Sequence, residues 1–232
     1  MTYVIGVDTG VRELPEADRQ VHALADELNE LALDDDVLFC THLVRSGPFP
    51  HIAVSIALPL PDEAAARAAW LRLSAPGGAE RGLALWSARE EDRPLTGWAT
   101  DDRPPHDRPP HGRAPRDRPL RGPAALAGGA AVAAAEHGAR TAGRAVRYPG
   151  HGALTGTLTV ARLLATTAIE RVTVIGAPGA PDRGTRLVTR GHVRPHWQAG
   201  RLTLATMPAA GGTLVPFEDP DPTRCCADHG VR

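Results

Sequence analysis

Between Asp102 and Arg121 the chain spells four consecutive pentads: Asp-Arg-Pro-Pro-His, the same again, Gly-Arg-Ala-Pro-Arg, and Asp-Arg-Pro-Leu-Arg. Proline has no amide donor and pushes the residue before it toward extended backbone, so such a tract suits neither a helix interior nor a central strand. It divides 232 residues into two stretches, each long enough to bury a core of its own. The expected organisation is a domain over residues 1–100, a solvated Pro/Arg-rich linker over 101–122, and a second domain over 123–232. Arginine and aspartate alternate in the linker, so its local charge largely cancels. It reads as a spacer; a polyproline docking segment or a His/Asp tract that gathers metal is the alternative.

The first stretch predicts a strand at Tyr3 to Val7, a helix from about Pro15 to Leu33, strands at Val37 to Val44 and Ile52 to Leu58, a helix from about Asp62 to Leu73, and a strand at Leu83 to Ala88. Val21, Leu24, Ala25, Leu28, Leu31 and Ala32 recur at three- and four-residue spacing, which marks one buried helical face. The order β-α-β-β-α-β resembles a ferredoxin-like sandwich, a likeness of architecture that carries no function with it. The turn Gly47-Pro48-Phe49-Pro50 is expected to join the two middle strands into an antiparallel pair.

The second stretch predicts an alanine-rich helix from Pro123 to about Arg147, weakened by Gly128, Gly129, Gly138 and Gly143, each at about 1 kcal/mol relative to alanine. A shorter helix follows at about Thr155 to Thr167, then strands at Arg171 to Ile175, Thr185 to Thr189, Arg201 to Thr206 and Thr213 to Phe217. The whole reads as an α+β chain, with C-terminal helices packed on a mainly antiparallel sheet.

Composition excludes several chemistries. All 26 basic side chains are arginine, which removes lysine Schiff bases, the phosphate-loop lysine and Ser-x-x-Lys acylation. No serine sits in a Gly-x-Ser-x-Gly frame. A net charge of −1 and few aromatic residues speak against nucleic acid as a partner, and no apolar run is long enough to span a bilayer. Three cysteines, an odd number, together with a start lacking a leader pattern lead us to expect a cytoplasmic chain without a disulfide framework.

Three motifs remain. Asp8-Thr9-Gly10 spells the triplet of an aspartic protease, but a helix follows within a few residues where that dyad needs a β framework, so it reads as a turn. Gly150-His151-Gly152-Ala153-Leu154-Thr155-Gly156 runs into a predicted helix, so Gly150, His151, Gly152, Thr155 and Gly156 are candidates for cradling an anion on backbone amides, with Arg144 and Arg147 nearby. It departs from the dinucleotide fingerprint, because the third glycine comes one place late and no acidic residue closes the next strand. His192, His196, Cys225, Cys226 and His229 form a thiolate and imidazole set of the kind that suits zinc. Pro195 forbids a helical histidine pair, and adjacent cysteines point to opposite sides of an extended chain, so the competing reading leaves these as ordinary surface groups.

These observations point to a binding or regulatory protein without catalysis, recognising a small anionic ligand or a protein partner. The rival is a metal-assisted, zinc-type hydrolase in which His192, His196, Cys226 and His229 converge and an aspartate acts as base.

Overall fold

The computed structural model describes residues 2–29, 31, 36–46, 49–75, 80–87 and 119–219. Within them the chain is α+β, with four α-helices and a mostly antiparallel sheet of twelve strands. The first six elements are β1 (Thr2–Val11), α1 (Leu14–Asn29), β2 (Leu38–Val44), β3 (His51–Pro59), α2 (Glu63–Leu73) and β4 (Gly82–Ser87). Their strands lie in the order β4-β1-β3-β2, every neighbouring pair antiparallel.

Alternation along the strands sorts their side chains into two layers. Tyr3, Ile5 and Val7 of β1 and Ile56 and Leu58 of β3 meet Val21, Leu24 and Leu28 of α1 and Ala69, Trp70 and Leu73 of α2 in one buried cluster. The α1 contacts come from the periodic face expected of it. Asp62 caps α2 by accepting the Ala65 N–H at 2.9 Å. β1 runs four residues beyond the end of its apolar run at Val7. It continues through a register shift between Val7 and Val11, where Gly10 takes φ +72° and donates its N–H to Asp8 Oδ1 at 2.8 Å.

The opposite face of these strands is covered by α3 (Ala124–Gly138), which lies against β1, β3 and β4. The predicted helix to Arg147 is therefore too long. It ends at Gly138, Arg140 adopts φ +53°, and residues Arg144–Arg147 become strand β6. Small residues are what seat α3. A Cβ added at Gly6 would stand 1.9 Å from the Ala130 carbonyl oxygen, and one at Gly82 would stand 2.1 Å from the Leu126 carbonyl carbon. The glycines that weaken α3 as an isolated helix thus belong to a helix whose backbone lies close on glycines of the sheet.

Residues 88–118, which hold most of the expected linker, lie outside the described residues. At its end, Leu120–Arg121 is not irregular as expected. It forms strand β5, pairing with β4 through Leu83↔Arg121 and Ala84↔Leu120.

The remaining strands are β7 (Thr157–Thr159), β8 (Arg171–Val174), β9 (Arg186–Val188), β10 (His196–Gln198), β11 (Arg201–Ala209) and β12 (Thr213–Pro216), with helix α4 at Val160–Thr166. β6 pairs with β2 on one side and β10 on the other, so the strands of both stretches belong to one sheet. A second core forms where they meet, with Cys40, Tyr148, Leu163, Trp197, Leu202 and Leu204 among its buried members. No described helix is long and apolar enough to cross a membrane.

Candidate functional site

Polar residues occupy the sheet face beneath α3, where apolar ones would be the ordinary choice. Cys40 and His42 are two residues apart on β2 and share that face with Ser55 of β3 and Asp8 of β1, all of them buried. From above, α3 contributes Glu136 and His137. His42 donates Nδ1–H to Glu136 Oε2 at 2.9 Å and meets Ser55 Oγ through Nε2 at 2.7 Å. The same hydroxyl is 2.7 Å from His137 Nδ1. A few residues along, His51 Nε2–H donates to Asp8 Oδ2 at 2.8 Å.

Burial sets the electrostatics of this row. It drives the His137 pKa down to about 3, with His42 and Arg140 adding repulsion, so the ring is neutral at neutral pH. It pushes the Cys40 thiol well up, with the charge of Arg144 acting the other way. The Cys40 sulfur and one nitrogen each of His42 and His137 lie within 4.8 Å of one another. That makes them a group able to hold a metal.

The histidines singled out at the C-terminal end meet elsewhere. His192 Nε2 is 2.9 Å from Glu218 Oε1, and His196 Nε2 is 3.9 Å from Glu218 Oε2. Arg144, buried on β6, grips both oxygens of that carboxylate and reaches Asp18 of α1 through Nη1 at 2.6 Å. The two imidazoles are thus brought together on a carboxylate that a guanidinium already neutralises. Cys225, Cys226 and His229 lie outside the described residues.

Burial alone would raise the Glu218 pKa, yet the Arg144 and His192 hydrogen bonds and charges hold it at about 2, below its ordinary 4.5. A depressed carboxylate contributes stability that is complete above its unfolded value and lost as pH falls through its folded value. Glu218→Gln should therefore lose on the order of 2 kcal/mol at pH 7 and converge on the parent chain near pH 2. Denaturant unfolding at pH steps across that window checks this. Equal pH slopes for both chains would contradict it.

The glycine-rich segment does not run straight into a helix. His151–Ala153 forms a single 3-10 turn, Thr157–Thr159 pairs with β9 as β7, and α4 starts only at Val160, its first turn capped by the Thr159 hydroxyl. The expected cradle of amides at a helix N-terminus is absent from this segment. Gly150, His151 and Gly152 instead line a cavity of about 320 Å³ together with Arg147, Tyr148, Ala153, Ala25, Leu28, Asn29, Val37 and Phe39. Thr155 and Gly156 do not line it; the Gly156 carbonyl accepts the Thr189 N–H and hydroxyl. Gly150 takes φ +78°, and a Cβ there would stand 2.0 Å from the Thr166 carbonyl oxygen, so glycine is required where the cavity wall turns. His151 donates Nδ1–H to the Tyr148 carbonyl at 2.8 Å. Burial lowers its pKa against that bond, with Arg147 adding to the lowering.

Sequence reasoning missed Cys40, His42, Ser55, Glu136 and His137. The available signal was parity: Cys40, His42 and Ser55 interrupt two apolar strands on one face each. Nothing in the sequence says that Glu136-His137 closes over that face. Comparison with protein-family models, curated proteins and solved structures finds no match, so function is read from this geometry.

Proposed function

We propose that the protein is a binding protein for a small amphiphilic carboxylate, held in the cavity between α1, β2 and the Gly150–Ala153 turn. The observation that carries the reading is that Arg147 and His151 share a cavity of about 320 Å³ with Leu28, Val37 and Phe39. A cavity at the small end of the ligand-site range, with polar groups exposed beside an apolar wall of Leu28, Val37 and Phe39, suits one compact ligand that carries both kinds of surface. Arg147 would pair with the carboxylate. His151 commits Nδ1–H to the Tyr148 carbonyl and is neutral at pH 7, which leaves Nε2 as an acceptor for a ligand hydroxyl.

In the same reading, the first six elements form a ferredoxin-like unit, supported by their order and by the antiparallel β4-β1-β3-β2 sheet with α1 and α2 in one buried cluster. That unit supplies one wall of the cavity and the glycine-rich turn supplies another.

The test is calorimetric titration with 4-hydroxyphenylacetate, which carries a carboxylate, an apolar ring and a hydroxyl, against its neutral analogue 4-hydroxyphenethyl alcohol. The acid should bind and the alcohol bind far more weakly. Arg147→Leu should cost the acid tenfold or more, about 1.4 kcal/mol at least. Equal binding of acid and alcohol, or an Arg147→Leu chain that binds the acid unchanged, would contradict the reading.

A further inference from the structure

We propose that Cys40, His42 and His137 form a buried zinc-type metal site that ties α3 to the sheet. One thiolate and two imidazoles are a soft-to-borderline donor set that selects zinc or cobalt over magnesium or calcium. The fold presents all three donors from fixed elements. Cys40 and His42 share one face of β2, His137 descends from the last turn of α3, and the three ligand atoms lie within 4.8 Å of one another. A tetrahedral ion with donors at about 2.0–2.3 Å places them about 3.3–3.6 Å apart. Closing from 4.8 Å asks for roughly an ångström of movement, which side-chain rotations of the two imidazoles supply.

The surroundings match what such a site needs. The Glu136 carboxylate on His42 Nδ1, at 2.9 Å, fixes the tautomer that leaves Nε2 to the metal. The Ser55 hydroxyl, 2.7 Å from His42 Nε2 and from His137 Nδ1, stands between the two ligand nitrogens and supplies the fourth donor. Charge also balances, because a divalent ion, one thiolate and the Glu136 carboxylate sum to zero, so the core buries no net charge.

The chain Glu136, His42, Ser55 has the order of a hydrolytic acid–His–Ser relay, but its geometry does not serve one. Ser55 is fully buried in mid-strand, α3 lies over it, and a second imidazole already occupies its hydroxyl, so no acyl group can approach. A closed site of protein donors is the structural kind. It would join β2 to the end of α3, segments on opposite sides of the Pro/Arg tract.

The experiment uses the full chain carrying Cys225→Ser and Cys226→Ser, reduced and titrated with cobalt(II), so that any sulfur-to-cobalt charge-transfer band reports Cys40. The expected result is one cobalt per chain, with that band and the visible bands of a tetrahedral ion, both bleached by one equivalent of zinc. Glu136→Gln should keep the spectrum and weaken affinity about 10–100-fold, and Cys40→Ser should abolish the charge-transfer band. A chain that takes up no cobalt at stoichiometry, takes it up without charge transfer, or keeps the band in Cys40→Ser would overturn the site. Thermal unfolding of the Cys225→Ser, Cys226→Ser chain with and without saturating zinc decides the matter if Cys40→Ser does not fold. A rise in Tm supports the clamp, and an unchanged Tm contradicts it.

Discussion

Gly6→Ala should destabilise the protein by about 3 kcal/mol, at the upper end of what overpacking a core costs. The new methyl would stand 1.9 Å from the Ala130 carbonyl oxygen, and real Cβ atoms essentially never come within 3.0 Å of such a neighbour. The obstructing atom is backbone, so no rotamer change relieves it and α3 must lift. Gly82→Ala should behave alike, because its Cβ would meet Leu126 and Ala127 backbone at 2.1 and 2.2 Å. Lifting α3 also draws His137 away from Ser55, so both variants should expose buried amides beneath the helix to hydrogen exchange. The control lies on α3 itself. Gly128 has nothing within 4 Å of its would-be Cβ, so Gly128→Ala should stabilise by up to about 1 kcal/mol through helix propensity alone. Denaturant melts of the three chains read both signs. Gly6→Ala matching Gly128→Ala would mean that α3 does not sit on the sheet as described.

Arg144→Met is the second large effect, at about 3–5 kcal/mol. The Arg144 side chain is only 8 % exposed and holds Asp18 of α1 and Glu218 beyond β12 at once, so its loss leaves two carboxylates facing an uncharged side chain. Arg194, 3.3 Å from Asp18, compensates only in part. Arg144→Lys should recover little, because an ammonium cannot reproduce the fork that grips both carboxylates. Adding Glu218→Gln to Arg144→Met should restore part of the loss, since it removes a stranded charge. Additive losses in that double variant would contradict the network.

Periodicity made α1 legible, because Val21, Leu24, Ala25 and Leu28 can face only one way on a helix, and all four are buried. Strands β1 to β4, β8, β9, β11 and β12 were legible from their apolar or alternating runs, whereas β5, β6, β7 and β10, each of four residues or fewer, were not. The end of α3 was not, since alanine and glycine carry no amphipathic pattern and continue unbroken toward β6. What stopped the helix was the turn after Gly138 and the pairing of Arg144–Arg147 with β2, a contact more than a hundred residues away in sequence. The glycine-rich segment was placed at a helix start, and the structure puts a 3-10 turn and a short strand there instead. Its residues Thr157–Thr159 found a strand partner in β9 before the helix could begin. His192 and His196 were read together as ligands, and tertiary structure set them on Glu218 beside Arg144. The polar row under α3 needed two facts at once: the parity of Cys40, His42 and Ser55, and the descent of His137 onto them. Only the first is written in the sequence.

The most direct test of the ligand-binding account is an amide chemical-shift map of the isotopically labelled chain titrated with 4-hydroxyphenylacetate. The account predicts that the largest shifts cluster at Leu28, Phe39, Arg147, Tyr148, His151 and Gly152, with the far end of β11 unmoved. Shifts centred on Glu218 and His192 instead, or none at saturating acid, would contradict it.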